Sequence, residues 1–209
     1  MFVSFEGIGG AGKTTQARLL GEWLRSLGFE TEETREPGGT PAGEEIRELL
    51  LDVDTELAPR AEAALFAASR AQLVEAVILP ALARGAAVVC DRYDDSSLVY
   101  QGEVEGIGHD AVLELNAFAT ADLMPDVTFV LLVDPGVAHA RRHAHDRIEP
   151  NDDRRLQLLH EAYLQLANAF QERIVLIDGS GNVADVSEKI RRVAIERLRE
   201  VRERLRDRS

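Results

Sequence analysis

The sequence predicts an α/β fold: a doubly wound, five-stranded parallel sheet flanked by helices. Two observations predict it. Short apolar stretches alternate with longer stretches of helical periodicity along the whole 209-residue chain. Parallel strands joined through helices follow from that alternation by right-handed crossovers. A glycine-rich loop and two other polar turns, "DRYDDSS" and "VDPG", each fall directly after an apolar stretch. In such a sheet these turns meet at the carboxyl-terminal rim, where doubly wound folds bind ligands.

The elements follow in order. "MFVSFE" (1–6) is a short apolar opening strand. After the glycine loop a helix runs to about Gly28, with Leu20, Trp23, Leu24 and Leu27 on one face and the glycine as its stop. "FETEETRE" (29–36) reads as a polar strand nearer a sheet edge, and "REPGGTPAGEEIRELLL" as a Pro/Gly loop entering a short helix. A long helix spans 59–84, with Pro80 expected to kink it near its end. "AAVVCD" (86–91), "DVTFVLLVD" (126–134) and "RIVLID" (173–178) are the remaining strands, the first of them too apolar to face solvent. A final helix covers roughly 184–205, with Ile190, Ala194, Leu198, Val201 and Leu205 at helical spacing.

Composition narrows the function. A formal net charge of −13 argues against a general nucleic-acid or anionic-membrane binder while allowing a local basic pocket. The single cysteine, Cys90, excludes an intrachain disulfide, the start lacks a signal-peptide pattern, and no run of eighteen uninterrupted apolar residues predicts a membrane span. A cytoplasmic protein is expected.

The loop "GIGGAGKT" fits the phosphate-binding pattern of two glycines four residues apart followed by Lys-Ser/Thr. Gly7, Ile8, Gly9, Gly10, Ala11 and Gly12 can turn their N–H groups inward around phosphate oxygens. The following helix adds its positive end. Lys13 would reach the β and γ phosphates of ATP, Thr14 would offer its hydroxyl to Mg²⁺, and Thr15 continues the ATP-binding segment. At the end of the third strand, Asp91 is the expected partner of Thr14 in holding Mg²⁺, partly through water. Arg92 can clamp a phosphate. The fold is therefore expected to be of the P-loop NTPase type.

These segments, with "TREPGGTPAGEEIRELLL", "ALFAASRAQLVEAVILPAL", "CDRYDDSSLVYQG", "LNAFAT…MPDVTFVLLVDP" and "DRIE", resemble the thymidylate kinase family over nearly the whole chain, in the family's order. The resemblance implies one kinase domain over 1–209 that transfers the γ-phosphoryl group of ATP to dTMP with Mg²⁺. It implies that Phe66 stacks on thymine, that Arg70 and Gln101 contact the base edge beside Ser96 and Ser97, and that Tyr100 lies against the deoxy carbon of the sugar. Arg47 and Arg92 would hold the dTMP phosphate, and the "REPGG" loop with Glu36 and Pro37 would shape the pocket.

Gly9 stands where the family usually has an acidic residue contacting the sugar 3′-hydroxyl, leaving that hydroxyl to be held by water, by Glu6 or not at all. Gly10 stands where one class of the family carries its catalytic arginine. That points to the bacterial class, with the arginines on a lid at about 141–153: Arg147 first, Arg142 second, and Arg141 or Arg142 able to stack on adenine. The resemblance also implies a homodimer. Two alternatives to dTMP phosphorylation are a kinase of another pyrimidine monophosphate such as dUMP and a nucleotide-dependent switch protein.

Overall fold

The computed structural model describes residues 1–141, 147–148 and 152–206. Five strands, β1 (Phe2–Glu6), β2 (Thr31–Arg35), β3 (Ala87–Asp91), β4 (Val127–Leu132) and β5 (Ile174–Asp178), form one parallel sheet of order β2-β3-β1-β4-β5. All five predicted strands are present, with boundaries trimmed by one to three residues.

The strand sequences explain their places. β1, β3 and β4 sit in the middle and are almost fully buried, as their near-continuous apolar runs require when helices cover both faces. The polar β2 lies at one edge, as expected, and the half-exposed β5 at the other. Alternation splits the core in two. Val3 and Phe5 of β1 and Val89 of β3 pack with Phe129, while Phe2, Val88 and Cys90 pack on the opposite face with Leu73, Ile78 and Tyr93.

Helices α1 (Lys13–Ser26) and α9 (Val183–Arg206) pack together against the first of these faces; Leu20 and Leu24 of α1 and Ile190 and Ala194 of α9 are buried there. α2 (Pro41–Leu51) starts with a Thr40 hydroxyl that accepts from the Gly43 N–H at 3.0 Å and with a proline at its first position. α2 packs on α3 (Pro59–Leu73).

The expected Pro80 kink takes a specific form. α3 continues through a π-helical turn, Val74–Ile78, into α4 (Leu79–Ala83). A proline has no N–H to return to the carbonyl four residues back, and the widened turn absorbs the missing bond without ending the helix. Pro59–Ala83 is, by length and composition alone, long and apolar enough to cross a membrane. Within this fold it instead buries Ala63, Ala67, Leu73, Val74, Ile78 and Ala81 and brings Phe66 to the sheet rim.

A second π-helical turn, Leu98–Val104, continues α5 (Asp94–Ser97) and precedes α6 (His109–Thr120). α7 (Pro135–Ala140) follows β4, capped by the Asp134 carboxylate, and α8 (Asp153–Ala169) leads into β5. The registers place Phe5 beside Asp91 of β3 and Phe129 of β4. The glycine loop and the Asp91–Arg92 turn therefore leave the sheet side by side.

Candidate active site

At that rim lies a cavity of about 500 Å³. Its donor side is the glycine loop. Gly7 has φ 132°, and a Cβ there would stand 2.6 Å from the Leu131 carbonyl oxygen, so only glycine fits. Gly12 turns the chain into α1 with φ 95°. Lys13 is buried, and its Nζ donates to the Gly7 and Ile8 carbonyls at 2.8 and 2.9 Å, which aims the ammonium across the loop. Gly9, Gly10, Lys13 and Thr14 all line the cavity. The Thr14 hydroxyl donates to Asp91 Oδ2, so the two oxygen ligands expected for Mg²⁺ are in contact. A hydroxyl and a carboxylate side by side are the hard oxygen donors this cation takes.

The facing side begins with Arg92, whose backbone N–H donates to the Phe5 carbonyl at 2.9 Å. Its φ of 70° is left-handed, a strain of about 1–2 kcal/mol for a residue with a Cβ. Hydroxyls hold the guanidinium: Nη1 donates to Ser96 Oγ at 3.1 Å, and Nη2 to Tyr100 OH at 3.3 Å, with the Tyr100 ring 5.2 Å away. Tyr163 of α8 stands 3.5 Å from Nη1.

Beneath this group lies Glu6, fully buried. Its carboxylate accepts from the Tyr93 N–H at 2.8 Å, the Ser96 hydroxyl at 2.6 Å and the Tyr163 hydroxyl at 3.0 Å. Burial, with Asp95 nearby, pushes its carboxyl up to about 7 against the pull of Arg92 and these hydrogen bonds. Burial also pushes the Tyr163 hydroxyl well above the ordinary phenol value, with Glu6 adding to the shift, so it stays protonated as a donor. Glu6 is therefore a support under the cavity floor; the lining residues are Ser96 and Tyr100 above it.

Phe66, Glu36, Pro37, Arg47, Ser97 and Gln101 also line the cavity, so most of the expected acceptor residues converge there. Arg47 Nη1 donates to the Pro37 carbonyl at 2.9 Å. Arg70 is placed differently from the expectation of a base contact. It is only 1% exposed and sits behind the wall. Its Nε and Nη2 reach Glu36 Oε2 at 2.8 and 2.7 Å, Nη1 donates to Asn116 at 2.7 Å, and Nη2 also donates to Ser97 at 3.0 Å and the Tyr93 carbonyl at 3.2 Å. The protein itself satisfies this buried arginine, which in turn holds Glu36 and Ser97 at the wall. Burial raises the Glu36 carboxyl pKa, and Arg70 opposes that shift.

The arginines expected on a lid also divide. Arg141 lines the main cavity and donates to the Gly179 carbonyl at 3.4 Å. Arg147 lies outside it, in an adjoining cavity, donating to Glu62 at 2.7 Å and to the Leu50 carbonyl at 3.1 Å. The structure does not bring Arg147 together with Lys13 and Thr14. Arg142 lies outside the described residues.

Sequence reading missed Glu62, Asn116 and Tyr163. The available signal was a polar residue inside an otherwise apolar helix stretch, as in "LNAFAT".

A glycine loop between a central parallel strand and a helix, with its lysine folded over it and an acidic residue beside the following threonine, defines a P-loop nucleotide-binding protein. The second wall carries its own arginines, Arg47 and Arg92, and the aromatic ring of Phe66. The family model for thymidylate kinase matches residues 5–190. Thymidylate kinase of Caldanaerobacter subterraneus is 45% identical over 200 residues, covering 95% of this chain and 96% of that protein. Thymidylate kinase of Gloeobacter violaceus is 44% identical over 196 residues, covering 91% and 92%. The crystal structure of thymidylate kinase from Ehrlichia chaffeensis superposes with a TM-score of 0.77 at 30% identity, covering 93% of this chain and 98% of that one. The chain belongs to the thymidylate kinase family.

Proposed function

We propose that this cavity passes the γ-phosphoryl group of ATP to dTMP, giving dTDP and ADP. One observation carries the assignment to particular residues: in a chain of net charge −13, the cavity is lined, among the described residues, by Lys13, Arg35, Arg47, Arg92 and Arg141 against Glu36 and Asp91. Such a pocket concentrates and binds anions that the rest of the surface repels.

Gly7 to Thr15 hold the ATP phosphates, Lys13 reaches the transferring group, and Arg141 borders the adenosine side. Arg47 and Arg92 hold the dTMP phosphate, while Phe66, Ser97 and Gln101 meet the base. Tyr100, whose hydroxyl is tied to Arg92, excludes a 2′-hydroxyl. The attacking phosphate has a second pKa of about 6, so it is mostly deprotonated at neutral pH and needs no general base. Catalysis then consists of positioning two anions and neutralising them. Thr14 and Asp91 would hold Mg²⁺, which when bound neutralises charge on the phosphates. A lid at about 141–153 within a single kinase domain is part of the proposal, with Arg147 adding charge to the transferring group; Arg142, the second choice for that role, lies outside the described residues.

A homodimer is part of the proposal. It is supported by the exposed apolar side chains around α6, where Phe118 is 85% exposed near exposed Leu113 and Met124. Light scattering that found only the 23.0 kDa chain would remove it. A cytoplasmic location, with no nucleic-acid or membrane partner, completes the reading and is checked by cell fractionation. The central test is ADP release with dTMP, dUMP, dCMP and dGMP as acceptors. Highest kcat/KM is expected for dTMP; preference for dUMP would move the assignment to that nucleotide. Tight GTP binding without phosphoryl transfer to any monophosphate would favour a switch protein.

A further inference from the structure

Glu62 lies in the first turn of α3 and is only 6% exposed. A carboxylate so placed is costly unless both oxygens are paired. Here both are. Oε1 accepts from Gln101 Nε2 at 2.8 Å, and Oε2 accepts from Arg147 Nη1 at 2.7 Å. The roles proposed above do not use Glu62.

Its partner Gln101 sits on the π-helical turn Leu98–Val104, is 1% exposed and lines the main cavity. A carboxamide has nearly the same shape either way round, so its neighbours decide which end faces which way. A carboxylate paired with a guanidinium can only accept. Gln101 must therefore turn its NH₂ toward Glu62, and its carbonyl oxygen is the end turned away.

We propose that Glu62 is a positioning residue that sets base selectivity by making Gln101 present a hydrogen-bond acceptor to the acceptor nucleotide. The inference rests on the reading of this cavity as the pyrimidine monophosphate site. A pyrimidine with a ring N–H, as in thymine or uracil, donates to that carbonyl. Cytosine carries a lone pair at the same ring position and meets the carbonyl with a second acceptor. Arg147 contributes by donating to Oε2 from a guanidinium, which leaves Oε1 to accept from the amide. A site built around one hydrogen-bond polarity rejects the wrong partner because a buried polar group is left unpaired.

The test is kcat/KM for dTMP and dCMP in the wild type, Glu62→Gln and Glu62→Asp. Glu62→Gln keeps the shape but can offer either end to Gln101, which frees the amide to reverse. Glu62→Asp keeps the charge opposite Arg147 and withdraws it by one methylene from Gln101. In both variants the dTMP-to-dCMP ratio is expected to fall about tenfold, with KM for dTMP raised and kcat at saturation within about twofold. A purely structural Glu62 would lower the melting temperature or depress both acceptors alike, leaving the ratio at its wild-type value; that result in either folded variant overturns the proposal. A wild-type enzyme that fails to phosphorylate dTMP overturns the acceptor reading itself, and this inference with it.

Discussion

The glycine loop holds its lysine with its own carbonyls, five and six residues away in sequence. The acceptor wall holds Arg70 with Glu36, Tyr93, Ser97 and Asn116, between 23 and 46 residues away. One half of the site is a local device, made by a short contiguous stretch wherever a strand feeds a helix. The other is assembled by the fold. Damage to the first should therefore strike chemistry alone, and damage to the second should strike stability and chemistry together.

The largest effect is expected from Lys13→Ala. Removing the charge proposed to act on the transferring phosphoryl group should lower kcat by about 10³-fold. The melting temperature should move by no more than about 2 °C, because the two carbonyls to which the lysine donates belong to its own loop. A variant that lost stability in proportion to turnover would erase the distinction between the two halves.

Arg70→Ala tests the other half. It leaves the Glu36 carboxylate buried without its ion pair and removes the brace on Ser97 and Asn116. Breaking a buried pair in this way costs about 3 kcal/mol or more, read from the denaturant midpoint at constant m. KM for dTMP should rise in the folded fraction while the ATP KM changes little. An unchanged midpoint would mean the wall does not depend on this network.

The same contrast decides what could be read from the sequence. The positions of the strands along the chain, the polar edge strand and the glycine loop all follow from patterns within about ten residues. Arg70 was legible as a buried arginine in need of a partner, but not its protein partners; nothing local connects position 70 with 36 or 116. Glu62 in "PRAEAAL" reads as an ordinary exposed helix residue until the turn carrying Gln101 is laid against it. Tyr163 is 157 positions from the Glu6 it supports. The π-helical turns depend on an extra residue per turn that no apolar periodicity marks, Pro80 being the single hint.

Arg147 stands between the two halves, held by Glu62 on the acceptor side and proposed to serve the donor side. Arg147→Ala is expected to lower kcat by about 10²-fold and to raise the dTMP KM less than that. If only KM moves, Arg147 is the counter-ion of Glu62 and nothing more, and the arginine acting on the phosphoryl group must be sought elsewhere.

The smallest effect concerns Glu6, which joins the halves at the end of β1. Its carboxyl is raised from an ordinary 4.5 to about 7, chiefly by burial. Between those values the folded state holds a proton that the unfolded chain has released. Stability from this group is thus complete below about pH 4.5, declines as pH rises toward about 7, and is level above it. The decline cannot exceed about 1.4 kcal/mol per pH unit. Glu6→Gln should remove that slope, because a neutral amide can still accept from the Tyr93 N–H and donate to the Ser96 or Tyr163 hydroxyl. Denaturant melts at pH 5, 6 and 7 compare the two proteins directly: the wild type should lose stability relative to Glu6→Gln at each step. A constant difference would place the Glu6 proton outside this window, and a growing wild-type advantage would mean that Arg92 outweighs burial in setting its charge.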